Sequence, residues 1–498
     1  MNSADKPTRT RIPVVFEDEP GMTPAIDRAM AAARVAQARW SVTTIAARLE
    51  LIRELRRLIA DHAPRLAEAS ASARSRPAAE SLVSEVLPLA EACRFLEREA
   101  KGILAPRRFG RRGRPLWLAG TRAEIRREPF GVILVIGPGN YPLLLPGVQV
   151  IQALAAGNAV LLKPGAGGGA AAAAFCELVV RAGFDPRLVA RLPESRGAAR
   201  AAIAARPDKV LFTGSAAAGE DILGQLAPHL IPAAMELSGC DSVIVRRDAD
   251  LDLVTRAVVF GLRLNAGRTC IAPRRLFVVR PAATELEGRL AQELRRVALP
   301  GAGSGGGVPE ALRSLLDEAV AGGAHFLAGS ETRVPAVLAA VPLSARLLRE
   351  DVFAPVVSLV TVADDDEAVA RSNDCPYALG SSIFARDESA ARPLAARLSA
   401  GVVTINDLIL PTADARLPFG GRARSGFGVT RGAEGLLELT TSKVVTATRG
   451  NFRPAFDTPR PGDEQLFHAY LTFAHGRGWT SRGRALLALV RTVLRRRP

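Results

Sequence analysis

The stretch VILVIGPGNYPLLLPGVQVIQALAAGNAVLLK, residues 132–163, decides the fold. Residues 132 to 162 are apolar enough that a membrane span must be considered, but Gly137, Pro138, Gly139, Pro142, Pro146, Gly147, Gly157 and Asn158 punctuate the run and rule against one continuous spanning helix. The spacing predicts a strand (Val132 to Ile136), a turn, a helix (Pro146 to Ala155) and a second strand (Ala159 to Leu162), buried on both faces of an α/β sheet. Strand-like segments recur at Lys209 to Phe212, Ser242 to Val245, Leu276 to Val279 and Val402 to Ile405, and their alternation with helical segments predicts a parallel sheet.

Upstream, residues 27 to 104 carry apolar positions at helical spacing, as in Ile45, Leu49, Ile52, Leu55 and Leu58, broken by Pro64 and Pro77. A basic stretch, Pro106 to Pro115, and a strand-like piece, Ala123 to Arg127, follow. The Gly-rich sequence from Pro300 to Val308 reads as an exposed loop. Pro454, Pro459, Pro461 and Gly462 mark a linker before a tail, about 467 to 498, in which Leu486, Leu487, Leu489, Val490, Val493 and Leu494 sit beside Arg484, Arg491, Arg495, Arg496 and Arg497. Such a basic amphipathic helix is too short to span a bilayer but could lie on an anionic one, or pack on its own subunit or a mate; packing is the favoured expectation.

The chain has 498 residues, 48% hydrophobic and 23% charged, enough for two or three folded units. The formal charge of +16 comes almost wholly from arginine, because lysine occurs only at 6, 101, 163, 209 and 443. The arginines are scattered and no nucleic-acid module accompanies them, so no nucleic-acid partner is expected. Cys93, Cys176, Cys240, Cys270 and Cys375 are an odd, widely spaced set without a C-x-x-C pair, which argues against a disulfide framework or structural zinc. Met1 to Val14 lacks the apolar run of a secretory signal, and the expected compartment is the cytoplasm.

Three residues carry candidate chemistry. Cys270 closes the loop Asn265-Ala266-Gly267-Arg268-Thr269, whose small residues would leave a sulfur reachable as a nucleophile; alone, it reads more readily as a small buried hydrophobe. Glu236 stands after an apolar stretch and before Gly239, a setting that can hold a carboxylate in a cleft. Asn140 follows the first buried strand, at the strand end where open α/β sheets bind ligands.

In combination these residues resemble the aldehyde dehydrogenase superfamily. EPFG (128–131), GNYP (139–142), AAGNAVLLKP (155–164), FTGS (212–215), ELSG (236–239), NAGRTC (265–270), EDVFAP (350–355) and PFGG (418–421) occur in the family's order across roughly residues 27 to 447, most closely in the manner of its class 3 and fatty-aldehyde branch. The resemblance implies an α/β fold with a Rossmann-like cofactor domain (131–235, preceded by a helical part, 1–115), an α/β catalytic domain (236–410) and a small oligomerisation arm (116–130, with a return segment and arm at 411–447), then linker and tail (448–498). It implies NAD(P)-dependent oxidation of an aldehyde through a thiohemiacetal and thioester on Cys270, an oxyanion held by the Asn140 amide and the Cys270 N–H, and water activated by Glu236. The carboxylate distinguishes the chain from relatives that pass the acyl group to a thiol. Lys163 would approach the adenosine ribose, Gly214, Ser215 and Gly219 would open a helix toward the pyrophosphate, and Asp351 with Phe353 would position the nicotinamide ribose and ring. A homodimer and a medium to long apolar aldehyde are expected.

Departures from the pattern are Gly139 for Trp, Arg268 for Gln, Ser238 for Gly, Asp351 for Glu, and Ala166 where many members carry a ribose-binding Glu. Without a carboxylate at 166, comparable use of NAD and NADP is the expectation. The competing readings are a catalytically weak scaffold protein and a thioester-forming reductase.

Overall fold

The computed structural model describes residues 22–71, 76–118, 120–297, 308–450, 456 and 458–495. They form two compact units, one of residues up to Arg107 with Ile125–Val444, the other of Arg108–Glu124 with 445–498. The Gly-rich stretch 300–307, the chain start and Arg496–Arg497 lie outside the described residues.

In the first unit, Val132–Ile136 (β1), Ala159–Lys163 (β2), Val189–Arg191 (β3), Lys209–Gly214 (β4) and Ala233–Leu237 (β5) run parallel in the order β5-β4-β1-β2-β3. Every residue of β1 and β2 is buried, which explains their unbroken apolar sequence. The intervening helix, Leu144–Ala156, is buried along its whole length. It begins two residues earlier than the proline at 146 suggested, and it stops at Gly157, whose φ of 96° forms a left-handed cap. No helix among the described residues is long and apolar enough to cross a membrane.

The second sheet orders Asp241–Val245 (β6), Pro273–Val279 (β7), His325–Ser330 (β8), Arg333–Ala339 (β9), Val356–Val362 (β10), Gly380–Phe384 (β11) and Val402–Ile405 (β12) as β8-β9-β10-β7-β6-β11-β12. Neither sheet is wholly parallel. β8 runs antiparallel to β9 because only Glu331 and Thr332 join them, too few for a crossover. The short strand Gly426–Phe427 pairs antiparallel with β5. The helices expected before residue 104 are present, with Leu49, Ile52, Leu55 and Ile59 buried in Ile45–Asp61, and Trp40 Nε1 donating to the Leu154 carbonyl at 2.9 Å.

A three-stranded sheet orders Arg107–Phe109, Thr121–Pro129 and Thr440–Thr448. Within the second unit the tail forms two helices, Asp463–His475 and Trp479–Arg495, held by Arg482 Nε donating to the Phe473 carbonyl at 2.8 Å.

Candidate active site

Two cavities share the side chains of Cys270, Glu236 and Leu145. The larger, about 270 Å³, opens among Pro138–Asn140, Thr213–Ser215, Leu237, Ser238, Asp351 and Phe353. The smaller, about 150 Å³, is lined chiefly by apolar residues, including Leu144, Phe260, Leu264, Ile271, Ile409 and Phe419. The segments following β1, β4 and β5 contribute to the larger cavity, which places it at the carboxyl edge of a parallel sheet.

Cys270 is positioned by a loop of unusual backbone. Asn265, Ala266 and Gly267 take φ of 51°, 51° and 69°, a conformation that costs roughly 1–2 kcal/mol at a non-glycine residue. Buried bonds over-determine it. Asn265 N donates to Glu80 Oε1 at 2.7 Å, Asn265 Nδ2 donates to the carbonyls of Asn140 (3.0 Å) and Arg268 (3.2 Å), and Arg274 donates to the Gly267 carbonyl at 2.8 Å. Residue 267 must be glycine for a second reason: a Cβ there would lie 2.6 Å from Pro355 Cα.

Asn140 Nδ2 donates to the Arg268 carbonyl at 3.1 Å, which uses one of its two amide hydrogens. The Asn140 segment is anchored by buried Glu85, whose Oε2 accepts from Leu143 N (2.7 Å) and Leu144 N (3.1 Å) and which pairs with buried Arg76. Tyr141 OH and Thr269 Oγ1, 2.6 Å apart, tie this segment to the cysteine loop.

Burial raises the Glu236 carboxyl above its ordinary range, against the opposing pull of Arg431 and of Thr430. Oε2 accepts from Thr430 Oγ1 at 3.2 Å, while Oε1 has no hydrogen-bond partner. Arg431 lies on the wall of the smaller cavity with its guanidinium 4.5 Å from the Phe419 ring centre, and it donates to the Thr412 carbonyl. The Cys270 thiol is pushed up by burial first and then by Glu236 and Asp241, with Arg431 and the Ile271 N–H acting the other way. The resting sulfur is therefore a thiol, reachable from both cavities.

Of the residues expected at a cofactor, Gly214, Ser215, Asp351 and Phe353 line the larger cavity. Ser215 Oγ caps the helix Ala216–Leu226, accepting from Ala218 N at 3.3 Å, so that helix starts at the cavity with its amide dipoles directed there. Burial raises the Asp351 carboxyl, and a hydrogen bond from Ser238 moderates it; the serine that departs from the family pattern thus serves the aspartate that does. Gly219 and Lys163 are not on this cavity. Gly219 is a packing residue, since a Cβ there would lie 2.7 Å from Leu237 Cδ2. Lys163 ends β2 two strands from β4, and burial lowers its ammonium pKa. Sequence reasoning missed Glu85, Thr430 and Arg431, because an exposed-type residue acquires a site role only when distant elements bury it.

A family model described as the aldehyde dehydrogenase family matches residues 19–445. The chain belongs to the aldehyde dehydrogenase family. It is an oxidoreductase that acts on aldehydes with a nicotinamide cofactor, NAD or NADP, and its α/β architecture is the family's. Among similar proteins, one from Mycobacterium ulcerans, provisionally named succinate-semialdehyde dehydrogenase (NADP+) 2, is 32% identical over 91% of each chain. The 4,4'-diapolycopene aldehyde oxidase of Methylomonas sp is 29% identical over 91% of this chain and 87% of that one. The solved NAD-dependent aldehyde dehydrogenase of Sinorhizobium meliloti superposes with a TM-score of 0.80 at 28% identity, covering 87% of this chain and 89% of its own.

Proposed function

We propose that this aldehyde dehydrogenase converts an apolar aldehyde to the free acid through a thioester on Cys270. The observation that carries the reading is that Cys270 and Glu236 form the common wall of two cavities, one suited to a nicotinamide cofactor and one to an apolar substrate. The larger cavity fits such a cofactor: a helix N-terminus meets it at Ser215, and Asp351 and Phe353 face it.

The chemistry of this chain's residues follows. Cys270 Sγ, having passed its proton to solvent water, bonds to the aldehyde carbon, and the carbonyl electron pair moves onto oxygen. The free Asn140 amide hydrogen and the Cys270 N–H stabilise that oxyanion. A nicotinamide cofactor held at Ser215, Asp351 and Phe353 would supply the hydride acceptor, and loss of hydride from this carbon restores the carbonyl as a thioester on Cys270. Glu236 Oε1, without a partner, then takes a proton from water, whose oxygen attacks the thioester; the C–S bond breaks and the acid leaves. The mostly hydrocarbon lining of the substrate cavity supports an apolar aldehyde. Arg431 on the same wall supports a second reading, an aldehyde bearing a carboxylate.

Residues 131–235 would carry the cofactor and 236–410 the catalytic loop, with the arm 116–130 and 411–447 joining a homodimer. Support for the dimer is the largely exposed strand Thr440–Thr448, and a sedimentation mass of twice the 52.6 kDa chain checks it. The tail is assigned to packing on protein rather than lipid, in a cytoplasmic enzyme.

An aldehyde panel with NAD and NADP, from two-carbon to long-chain, aromatic and succinate semialdehyde, followed by reduced-nicotinamide absorbance, tests the activity. Turnover favouring long apolar aldehydes and lost in Cys270→Ala is expected. No turnover with any pairing, indistinguishable from Cys270→Ala, contradicts it. Product release that requires an added thiol would indicate the reductase instead.

A further inference from the structure

We propose that Glu194, from a different loop, takes the place of the carboxylate missing at Ala166 and makes the chain prefer NAD over NADP. The inference rests on the reading of Lys163 as the residue beside the adenosine ribose. That reading has a structural counterpart: β2 lies next to β1 in the sheet whose carboxyl edge forms the cofactor cavity.

After β3, Leu192 N donates to the Leu162 carbonyl at 2.8 Å, which fixes the following turn against the end of β2. Two residues on, the Glu194 carboxylate enters the loop after Lys163. Oε2 accepts from Gly167 N at 2.5 Å and Oε1 from Gly169 N at 2.6 Å, at the start of the helix Gly169–Arg181. Glycine at 169 leaves room for it, because a Cβ there would overlap Oε1 and displace the carboxylate. Glu194 also attracts the Lys163 ammonium, whereas Arg196 repels it.

The consequence concerns one phosphate. Backbone amides at a helix start and a neighbouring ammonium are the groups that would take up the 2'-phosphate of NADP. In this chain a carboxylate already occupies both amides and offsets part of the positive field around the lysine. A 2'-phosphate brought there meets like charge, while the 2'-hydroxyl of NAD meets an acceptor. The absence of a carboxylate at 166 therefore does not free the site for NADP.

The test is the equilibrium dissociation constant of NADH and NADPH for the full-length protein, measured by nucleotide fluorescence in wild type, Glu194→Gln, Glu194→Ala and Lys163→Met. Wild type should bind NADH at least about tenfold more tightly than NADPH, a difference of about 1.4 kcal/mol. Both Glu194 variants should shrink that ratio about tenfold, chiefly by tightening NADPH. Glu194→Gln removes the charge and keeps one acceptor oxygen for the two loop amides, and a Tm equal to wild type, with the ratio still shrunken, assigns its effect to charge rather than loop collapse. Lys163→Met should weaken both nucleotides. An unchanged ratio in both Glu194 variants, with Lys163→Met still weakening both, overturns the proposal and leaves the ribose reading standing. If Lys163→Met changes neither, the ribose reading fails and the proposal with it.

Discussion

Burial pushes both Cys270 and Glu236 toward their neutral forms, and Glu236 further raises the cost of ionising Cys270. The pair is therefore poised so that Glu236 becomes a base only above the ordinary carboxylate range, which suits a group that must take a proton from water. The acid limb of kcat should lie above that range, and Glu236→Gln should lower kcat by about 100- to 10,000-fold. The same shift has a sign for stability. A carboxyl whose pKa rises on folding favours the fold fully below its unfolded value, and that contribution is lost as pH climbs through the raised value. Glu236→Gln should accordingly raise Tm above neutrality and leave it nearly unchanged in weak acid. A pH–rate profile with scanning calorimetry checks both; equal Tm gains at all pH values would remove the burial argument. Cys270, Glu236 and Asn140 were legible in the sequence because each sits in a short motif with small neighbours. Arg431, Thr430 and Glu194 were not, since their roles come from contacts with residues remote in the chain: Thr430 meets Glu236 from a different strand pair, and Glu194 meets Gly167 and Gly169 from a different crossover.

At the scale of elements, β1, its helix and β2 were readable because one apolar composition, cut by Gly157 and the prolines, has few other solutions. The edge strand β8 was not, because its residues are partly exposed and its direction is set by a two-residue turn. Nor did composition reveal the left-handed backbone of Asn265 and Ala266, which Glu80, remote in the chain, and nearby Arg274 hold in place. The tail contains the helix Trp479–Arg495, in which Leu487 and Val490 are 59% and 48% exposed beside exposed Arg484 and Arg491. With the tail assigned to protein contact, deleting residues 467–498 should leave co-sedimentation with anionic liposomes unchanged. Loss of binding on deletion would instead assign the helix to a membrane surface.

Across the whole molecule, a strongly basic chain uses its arginines as partners for its own carboxylates. Arg34 with Asp208, Arg246 with Asp365 and Arg65 with Glu177 join segments far apart in sequence, the exposed Arg34 and Arg65 pairs worth little by themselves. The fold instead rests on apolar clusters around the two sheets, and the site lies where the loops after β1, β4 and β5 meet the loop before β7. The central claim is that this meeting point makes and then hydrolyses a thioester on one sulfur. The most direct test is to mix Glu236→Gln enzyme with NAD and a long-chain aldehyde, quench in acid, and map the protein by mass spectrometry. An acyl group on Cys270, formed with one equivalent of reduced nicotinamide and released slowly, is the predicted result. Reduced nicotinamide without acylated Cys270, or an acyl group on another cysteine, would contradict the account.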